Sequence, residues 1–469
     1  MRSELPNYLV VGTGPSAVAV IASLLRSGAQ IDVVDAGSSS CGFGKEDSVS
    51  NDLKRRLKPH RGEFHDYLSH PHADVDYESR LIARSSNFQG GFSRVWGATV
   101  HGNERAFGWE PSILPTKEDE LLLRELVPMR EIIPGSPIQG VQQKLADSLG
   151  DSWEIFPSQI ACSSDASKND INDPRIAKIF SAEVGEHWQA SPTIRSWVQE
   201  GRIKLIDEML VVGCRQEADH ASVVAVDKDG VSHTFKAQRV ILAAGPLGTA
   251  QILVQSGFLQ KIRVRDTPTA FGGFISLQSS HSLRSSESQY SQWWARQNLN
   301  RGLFAQFYEP SRGNEVRIRS ELRLPSAMGP IIRQIAMRTF PVVVYSSLTT
   351  GEYLEVTAKS NIGSHVSGVS SDHVRSEFRK DLAQLAIIIR RAGFIAFGSS
   401  FQVGTVGSGF HSGSSLPHIK ATSELGCLQG LDRIHIVDST VLPDLKPGPI
   451  TTVVMINAIR IGRKLTLIS

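Results

Sequence analysis

A histidine in a loop of small residues is the side chain of this sequence best suited to acid–base chemistry. His411 lies in residues 407–413 (GSGFHSG), a composition typical of a surface loop that presents a side chain to a site. Histidine is the residue whose unperturbed pKa lies nearest neutrality, so it can accept a proton at physiological pH. The sequence therefore predicts His411 as a general base. His418 is the alternative base, and a loop histidine without a chemical role is the competing interpretation.

A second set of residues, near the N-terminus, has the spacing of a dinucleotide-binding turn. Gly12 permits a tight strand-to-helix turn, Gly14 lets the backbone approach a pyrophosphate, and Ala17 lets the helix pack on a sheet. The helix N-terminus around Ser16 would direct its free N–H groups at phosphates. Asp35, about twenty residues after Gly14, stands where an acid holds ribose hydroxyls. We predict nucleotide binding here, by these residues and Ala36, against the alternative of a plain βαβ unit.

The elements around these residues follow from hydrophobic periodicity. Residues 8–11 and 31–34 are predicted as buried strands flanking a helix over 15–26, and 240–244 as a buried parallel strand. Strands are also predicted over 204–212 and 222–227, and later in the chain over 303–308, 315–322, 342–347 and 353–357. Residues 371–391 have the pattern of an amphipathic helix, capped by Ser371 or Asp372 and ended by Gly393.

Composition restricts the class of protein. The chain has 469 residues and a net charge of +3, too small to indicate nucleic acid or an anionic membrane as partner. Its four cysteines (Cys41, Cys162, Cys214 and Cys427) form no CxxC pair, which argues against disulfides and zinc. The N-terminal strand leaves no room for a signal peptide, and Arg333 and Arg338 interrupt the most apolar stretch, so no membrane span is predicted. A cytoplasmic enzyme is expected.

Two other features have competing interpretations. The histidine-rich stretch over residues 60–76 would suit a metal, but its composition is that of a solvated loop, and no metal is predicted. Trp293 and Trp294 would serve either in a lid that stacks on a sugar or as anchors of a loop to the core, the interpretation that we favour.

Three further blocks resemble motifs of the glucose–methanol–choline (GMC) oxidoreductases. They are residues 88–98 (FQGGFSRVWGA), 238–249 (QRVILAAGPLGT) and 434–462, which begins IHIVDSTVLP. Their order and spacing match that family, although residues 258–400 do not contribute to the resemblance. It implies FAD as cofactor, contacted by Gly90, Gly91, Ser93, Trp96, Gly97, Leu210, Ala243, Ala244, Gly245, Asp438, Pro449, Ile450 and Thr451.

The resemblance also implies an architecture. We expect an α/β protein with a Rossmann-like FAD-binding domain over residues 1–257 and 401–469. Residues 258–400 would form an inserted α+β substrate-binding domain, whose mainly antiparallel sheet lies over the flavin. Leu210 would contact adenine through its backbone, and Asp438 would reach ribityl or pyrophosphate groups, with a simple turn cap as the alternative. The helix starting near Thr451 would direct N–H groups at the flavin ring.

By the same resemblance, His411 accepts the proton of an alcohol while hydride passes to flavin N5. A sugar or glycoside hydroxyl is the favoured substrate class, and the electron acceptor is left open. The family's second active-site residue, His or Asn, is missing, because Gly448 stands at that position before Pro449. Two alternative hypotheses therefore remain: a redox-neutral flavoenzyme such as an isomerase or epimerase, and an FAD-binding protein that has lost its catalytic activity.

Overall fold

The computed structural model describes residues 5–38, 75–78, 81, 83–94, 96–100, 102, 104–132, 136–161, 187–277, 290–297, 302–310, 328–348, 351–359 and 363–468. Three sequence predictions fall outside these ranges: the histidines between residues 60 and 74, the strand over 315–322, and the environments of Cys41 and Cys162. No helix in the described ranges has both the length and the apolar character to cross a membrane.

A five-stranded parallel sheet is the centre of the half of the fold that contains the predicted nucleotide motifs. Its strands, in spatial order, are β22 (Ile434–Ile436), β12 (Arg239–Leu242), β1 (Tyr8–Val11), β2 (Ile31–Val34) and β8 (Lys204–Ile206). Chain order reverses on either side of β1, which opens a crevice at the carboxyl ends of the strands where ligands bind in such sheets.

The predicted single strand over 204–212 is wrong, because the chain turns sharply between two strands. β8 ends at Ile206, and β9 (Leu210–Gln216) joins β10 (Ala221–Val226) and β11 (Ser232–Ala237) in a separate antiparallel sheet. Glu208 has a φ of 55° at the turn, and its N–H donates to the carbonyl of Gly37. A β-rich sequence pattern does not reveal a turn that distant contacts impose.

Two helices pack closely on one another beside the parallel sheet. They are α1 (Pro15–Leu25) and the C-terminal α8 (Thr451–Thr466). Gly462 permits the approach, since a Cβ there would lie 2.9 Å from Ser23 Cβ. Residues 452–462 are buried without a break, so α8 has no solvent face over this length and contributes to the core on all sides.

The other helices of the described ranges lie around these sheets. They are α2 (Lys117–Leu126), α3 (Ser136–Leu149), α4 (Ala190–Gln199), α5 (Gly245–Gln255), α6 (Gly329–Ala336) and α7 (Asp372–Arg391). The predicted cap of α7 is confirmed, because Ser371 accepts a hydrogen bond from the N–H of Val374. The buried face of α7 packs with α3 against the large antiparallel sheet.

That sheet has six strands. In spatial order they are β20 (Gln402–Val403), β14 (Thr269–Ile275), β17 (Thr339–Ser346), β16 (Leu303–Tyr308), β15 (Ser291–Gln297) and β6 (Trp153–Pro157). Trp293 and Trp294 lie on β15 and are buried among aromatic rings. They therefore hold this segment to the core, as we favoured, although the segment is a strand and not a loop. The strand predictions over 303–308 and 342–347 are confirmed.

Two smaller sheets complete the described fold. One comprises β21 (Ser412–Gly413), β13 (Lys261–Asp266), β18 (Tyr353–Ala358), β19 (Ser364–Val369) and β3 (Val75–Tyr77). The other comprises β4 (Thr99–Val100), β7 (Gln159–Ala161) and β5 (Met129–Glu131). β6 and β20 pair with strands of the predicted inserted region, while β21 and β3 do the same in the smaller sheet. The domain boundaries at 257/258 and 400/401 stay a prediction.

Candidate functional site

The predicted nucleotide motifs meet at one edge of the parallel sheet. Val11 pairs with both Val34 and Leu242, and Leu242 pairs with Ile436, so four strands end at the same level. The residues that follow them belong to the four motifs identified in the sequence. The fold thus brings the turn at 12–14, the acid at 35, the turn at 243–245 and the closing block at 437–438 to one place.

The turn after β1 has the geometry of a phosphate site. Gly12 has a φ of 102°, and a Cβ there would lie 2.6 Å from the carbonyl oxygen of Ala243, so only glycine fits. Gly14 is the N-cap of α1 and supplies no side-chain cap, while a Cβ at that position would meet nothing within 4 Å. The first N–H groups of α1, around the buried Ser16 and Ala17, therefore have no side-chain cap from Gly14, which leaves them available to an anion.

Asp35 is held in place by the neighbouring backbone and by Thr13. Its Oδ2 accepts from Thr13 Oγ1 at 2.7 Å and its Oδ1 from the N–H of Gly37 at 2.7 Å. Burial raises the pKa of Asp35 to about 6, against the lowering effect of these hydrogen bonds. Each carboxylate oxygen retains a lone pair for a ribose hydroxyl. The N–H of Met209 donates to the carbonyl of Asp35, so Leu210 lies beside this turn, as does Ala36.

The glycine-rich segment at 88–98 folds over the phosphate turn. The N–H of Gly90 donates to Thr13 Oγ1 at 2.9 Å, and a Cβ at Gly91 would lie 3.4 Å from Gly14 Cα. Ser93 Oγ donates to the carbonyl of Gly90 and accepts from the N–H of Ala190. These contacts place the second glycine motif directly against the first, as its assignment to one ligand requires.

Two other residues of this segment serve mainly to support it. Trp96 Nε1 donates to the carbonyl of Trp188 at 3.0 Å, and the carbonyl of Gly97 accepts from Thr99 Oγ1. Both contacts are to other residues of the described ranges, so Trp96 and Gly97 help to hold this segment in place. A contact of either residue with the cofactor remains a prediction.

Gln89 is a further candidate site residue. It belongs to the glycine-rich motif at 88–98 but was not among the residues predicted to contact the cofactor. Its side chain is 2% exposed, and neither amide atom has a hydrogen-bond partner among the described residues. Leaving a buried amide unpaired costs about 1–3 kcal/mol, so a ligand group is the expected partner. The glutamine ahead of the two glycines was the only sequence signal for this role.

The turn after β12 and the closing block lie against one another. Ala243 and Ala244 lead into α5, whose first residue Gly245 has a φ of 75°. Asp438 accepts from Thr249 Oγ1 at 2.5 Å and from the N–H of Thr440 at 2.9 Å, and burial raises its pKa. Its side chain thus caps the turn that follows, which is the alternative role considered from the sequence.

The N-terminus of α8 also lacks a side-chain cap. Ile450 is its N-cap residue and bonds no N–H group of the first turn through its side chain, so Thr451 and its neighbours present free N–H donors behind Pro449. Thr452 Oγ1 is buried without a partner among the described residues. This second uncapped helix end is favourable for a group that gains negative charge.

His411 lies at the same site, connected to α8 through aromatic rings. Its imidazole stacks on Tyr345 with ring centroids 4.7 Å apart, and Tyr345 packs on Phe304 at 6.1 Å. Phe304 in turn touches Gly448, three residues before α8. The Nδ1 atom of His411 is buried and has no hydrogen-bond partner in the described part of the chain. Burial lowers the pKa of His411 to about 4, so its neutral, proton-accepting form prevails at pH 7.

Gly448 has a conformation and surroundings that disfavour the side chain expected from the resemblance. Its φ is 114°, and a Cβ there would lie 3.2 Å from the ring of Phe304. The aromatic ring on β16 therefore occupies the neighbourhood in which a histidine or asparagine would extend. The sequence showed the glycine, but not the ring that accompanies it.

His418, the alternative base, belongs to a buried network away from open space. Its Nδ1–H donates to the carbonyl of Ser423 at 2.8 Å, and its Nε2 accepts from Asn457 Nδ2 at 3.1 Å. Arg460 donates to the same Nε2 at 3.3 Å and to Asn457 Oδ1. Burial, with Arg460 nearby, lowers the pKa of His418 to about 3. Both ring nitrogens are occupied, so a structural role fits His418 better than proton transfer.

Comparisons with known proteins establish the fold. No family model matches the sequence, and no curated protein matches it. Among solved structures, pyridoxine 4-oxidase from Mesorbium loti matches with a TM-score of 0.65 and 12% sequence identity, over 98% of this chain and 99% of that chain. The match extends over both chains almost completely, so the expected α/β architecture with its mixed sheets is confirmed. At this identity the likeness concerns the fold alone.

Proposed function

We propose that this protein is an FAD-dependent oxidoreductase of the GMC family that oxidises an alcohol, with His411 as the base. One observation carries the proposal: in the described part of the chain the buried Nδ1 of His411 has no hydrogen-bond partner, and the rings of Tyr345 and Phe304 connect His411 to Gly448, three residues before the uncapped N-terminus of α8. A neutral imidazole and a free helix end at one site supply a proton acceptor and a stabiliser of negative charge.

The residues of the parallel-sheet edge fit FAD. Gly12 permits the tight turn against Ala243, Gly14 leaves room for the pyrophosphate at α1, and Asp35 retains lone pairs for a ribose. The orphaned amide of Gln89 and hydroxyl of Thr452 are the polar atoms that such a ligand would satisfy. When bound, FAD supplies the hydride acceptor at N5. The other residues named for it, from Gly90 to Thr451, remain predicted contacts.

His411 would hold the proton that leaves the substrate hydroxyl. Stacking on Tyr345 limits rotation of the imidazole, which orients its nitrogens. A pKa of about 4 keeps the ring ready to accept but makes it a weak base. Proton transfer to His411 would therefore accompany the oxidation of the substrate carbon rather than precede it.

The substrate class is the least constrained part of the proposal. A sugar or glycoside hydroxyl was favoured from the resemblance, while the structural neighbour is named as an oxidase of pyridoxine. Tyr345 and Phe304 give the neighbourhood of His411 an aromatic character that would suit a flat ring. Both substrate classes are therefore included in the test below. The proposed electron acceptor is molecular oxygen or another molecule, and the proposed location of the protein is the cytoplasm.

The rival function is a redox-neutral reaction, in which the substrate is oxidised and then reduced again. Gly448 is the observation that favours it, because no second side chain extends from that position to support a net oxidation. A catalytically inactive FAD-binding protein is the third reading.

An anaerobic absorption titration separates these readings. Purified yellow protein would be mixed with a panel of sugars, aliphatic alcohols and aromatic alcohols, pyridoxine included. Bleaching with one class supports alcohol oxidation and identifies the substrate. Turnover without net oxidised product supports the redox-neutral reaction. Protein that neither carries nor takes up FAD would refute the proposal.

A further inference from the structure

The loop that carries His411 is anchored by one buried carboxylate. Asp266 is the last residue of β13 and is 3% exposed. Its Oδ2 accepts from the N–H of Gly407 at 2.7 Å. Its Oδ1 faces Gly409 so closely that a Cβ on Gly409 would lie 2.6 Å away. The carboxylate thus contacts two glycines just before His411.

The backbone beside Asp266 holds the other side of the loop. Asp266 pairs with Ser412 where β13 meets β21, and the N–H of Thr267 donates to the carbonyl of His411 at 3.1 Å. The chain is therefore fixed immediately before and immediately after His411 by one pair of consecutive residues. A loop of glycine and serine has little rigidity of its own, so these contacts determine where the imidazole lies.

Several charged groups surround this carboxylate. Burial, together with the charge of Glu352, raises the pKa of Asp266 to about 7. The N–H groups of Gly407 and Gly409 and the guanidinium of Arg84 act in the opposite direction. Glu352 is itself buried and accepts from Arg375 and from the N–H of Ser371. Asp266 and Glu352 are thus neighbouring buried carboxylates, of which Asp266 contacts the loop through its side chain.

We propose that Asp266 is a positioning residue for His411, which fixes the loop over residues 407–411 and thereby keeps the imidazole stacked on Tyr345 in a water-poor environment. The functional value of this arrangement rests on the proposed role of His411 as base. The positioning itself is a property of the chain and is measurable without a substrate.

Two variants remove the contact in different ways. Asp266→Asn can still accept from the N–H of Gly407 through its amide oxygen, but it removes the negative charge and places an NH₂ group where Oδ1 faces Gly409, which weakens the contact with the loop. Gly409→Ala displaces the loop from Oδ1 while every charge in the protein is retained. Glu352→Gln is the matched control, since it removes a buried carboxylate charge from the same cluster without touching the loop.

Histidine NMR supplies the readout. Protein with ¹³C-labelled histidine and its bound cofactor would be titrated between about pH 5.5 and pH 8, and His411→Ala would assign the resonance. In wild-type protein the His411 signal should not titrate in this range. In Asp266→Asn and Gly409→Ala, a loosened, hydrated ring should regain a pKa nearer the ordinary histidine value, so its midpoint should rise by about two pH units and enter this range. His418, held by Asn457 and Arg460, should stay unchanged in all variants.

The outcomes are decisive either way. Wild-type behaviour of His411 in both loop variants would overturn the proposal, and so would an equal shift in Glu352→Gln, which would identify charge rather than contact as the cause. If Asp266→Asn does not fold, Gly409→Ala still decides. Loss of the proposed function is a separate result: full turnover by His411→Ala would refute the base but leave the NMR comparison intact.

Discussion

The imidazole of His411 lies on the phenol ring of Tyr345, with centroids 4.7 Å apart and planes inclined by 24°. His411 lies in the loop just before β21, and Tyr345 lies on β17, a central strand of the six-stranded sheet. The contact therefore joins the proposed base to the sheet that we expect to bind the substrate. Its geometry leads to a first prediction about orientation.

Tyr345→Leu should lower the rate of substrate oxidation by about tenfold, whereas Tyr345→Phe should stay within about twofold of wild type. An aromatic stack contributes about 0.5–1.5 kcal/mol beyond burial, or about 2- to 13-fold in rate, and tenfold is expected if most of the upper value orients the imidazole. The measurement is the anaerobic rate of flavin bleaching. A deficit of the same size in both variants would assign the effect to the hydroxyl instead of the ring.

His411→Gln should reduce flavin bleaching by about 10²–10⁴-fold, the range that a general base contributes. FAD content should remain that of wild type, because no FAD motif includes His411. Stopped-flow reduction and the absorption spectrum of the purified variant measure the two quantities. His418→Gln is the comparison. In the His418→Gln molecules that fold and bind FAD, substrate should reduce the flavin at close to the wild-type rate. If His418→Gln contained a full complement of FAD but its flavin were reduced slowly, His418 would be the base instead.

The fold around the predicted nucleotide motifs was predictable in detail because its signals are local. The strand at 8–11, the glycines at 12 and 14, the helix and the acid at 35 lie within a few turns of chain, and each constrains the next. The cap at Ser371 was predictable for the same reason.

The features that escaped prediction depend on contacts between distant segments. Glu208 turns the chain because its N–H reaches Gly37, and the neighbourhood of Gly448 is filled by Phe304. Gln89 looked like an ordinary loop residue until its burial without partners became visible. None of these pairings produces a periodicity, and a single sequence reveals only periodic or closely spaced signals.

Gly448→Asn should destabilise the protein by about 2–4 kcal/mol without restoring a second active-site residue. Part of the cost is the positive φ of 114°, and the rest is contact of the new side chain with Phe304. Chemical denaturation of Gly448→Asn, Phe304→Ala and the double variant measures both terms. We expect the double variant to lose less unfolding free energy than the two single variants lose together, because removal of the ring relieves the overlap. Strictly additive effects would contradict the contact.

His418 should make the protein less stable as the pH falls from about 6.5 toward 4. Its pKa is lowered to about 3 in the folded state by burial and by Arg460, whereas the unfolded chain restores an ordinary histidine near 6.5. Between these values the unfolded state binds the extra proton, so stability is complete above the unfolded pKa and is lost as the pH falls through this window. A single group of this kind contributes a slope of about 1.4 kcal/mol per pH unit. His418→Gln should therefore show a shallower rise of unfolding free energy with pH from 4.5 to 6 than wild type, measured by denaturation at each pH. Equal slopes in the two proteins would mean that Asn457 and Arg460 do not hold His418 neutral.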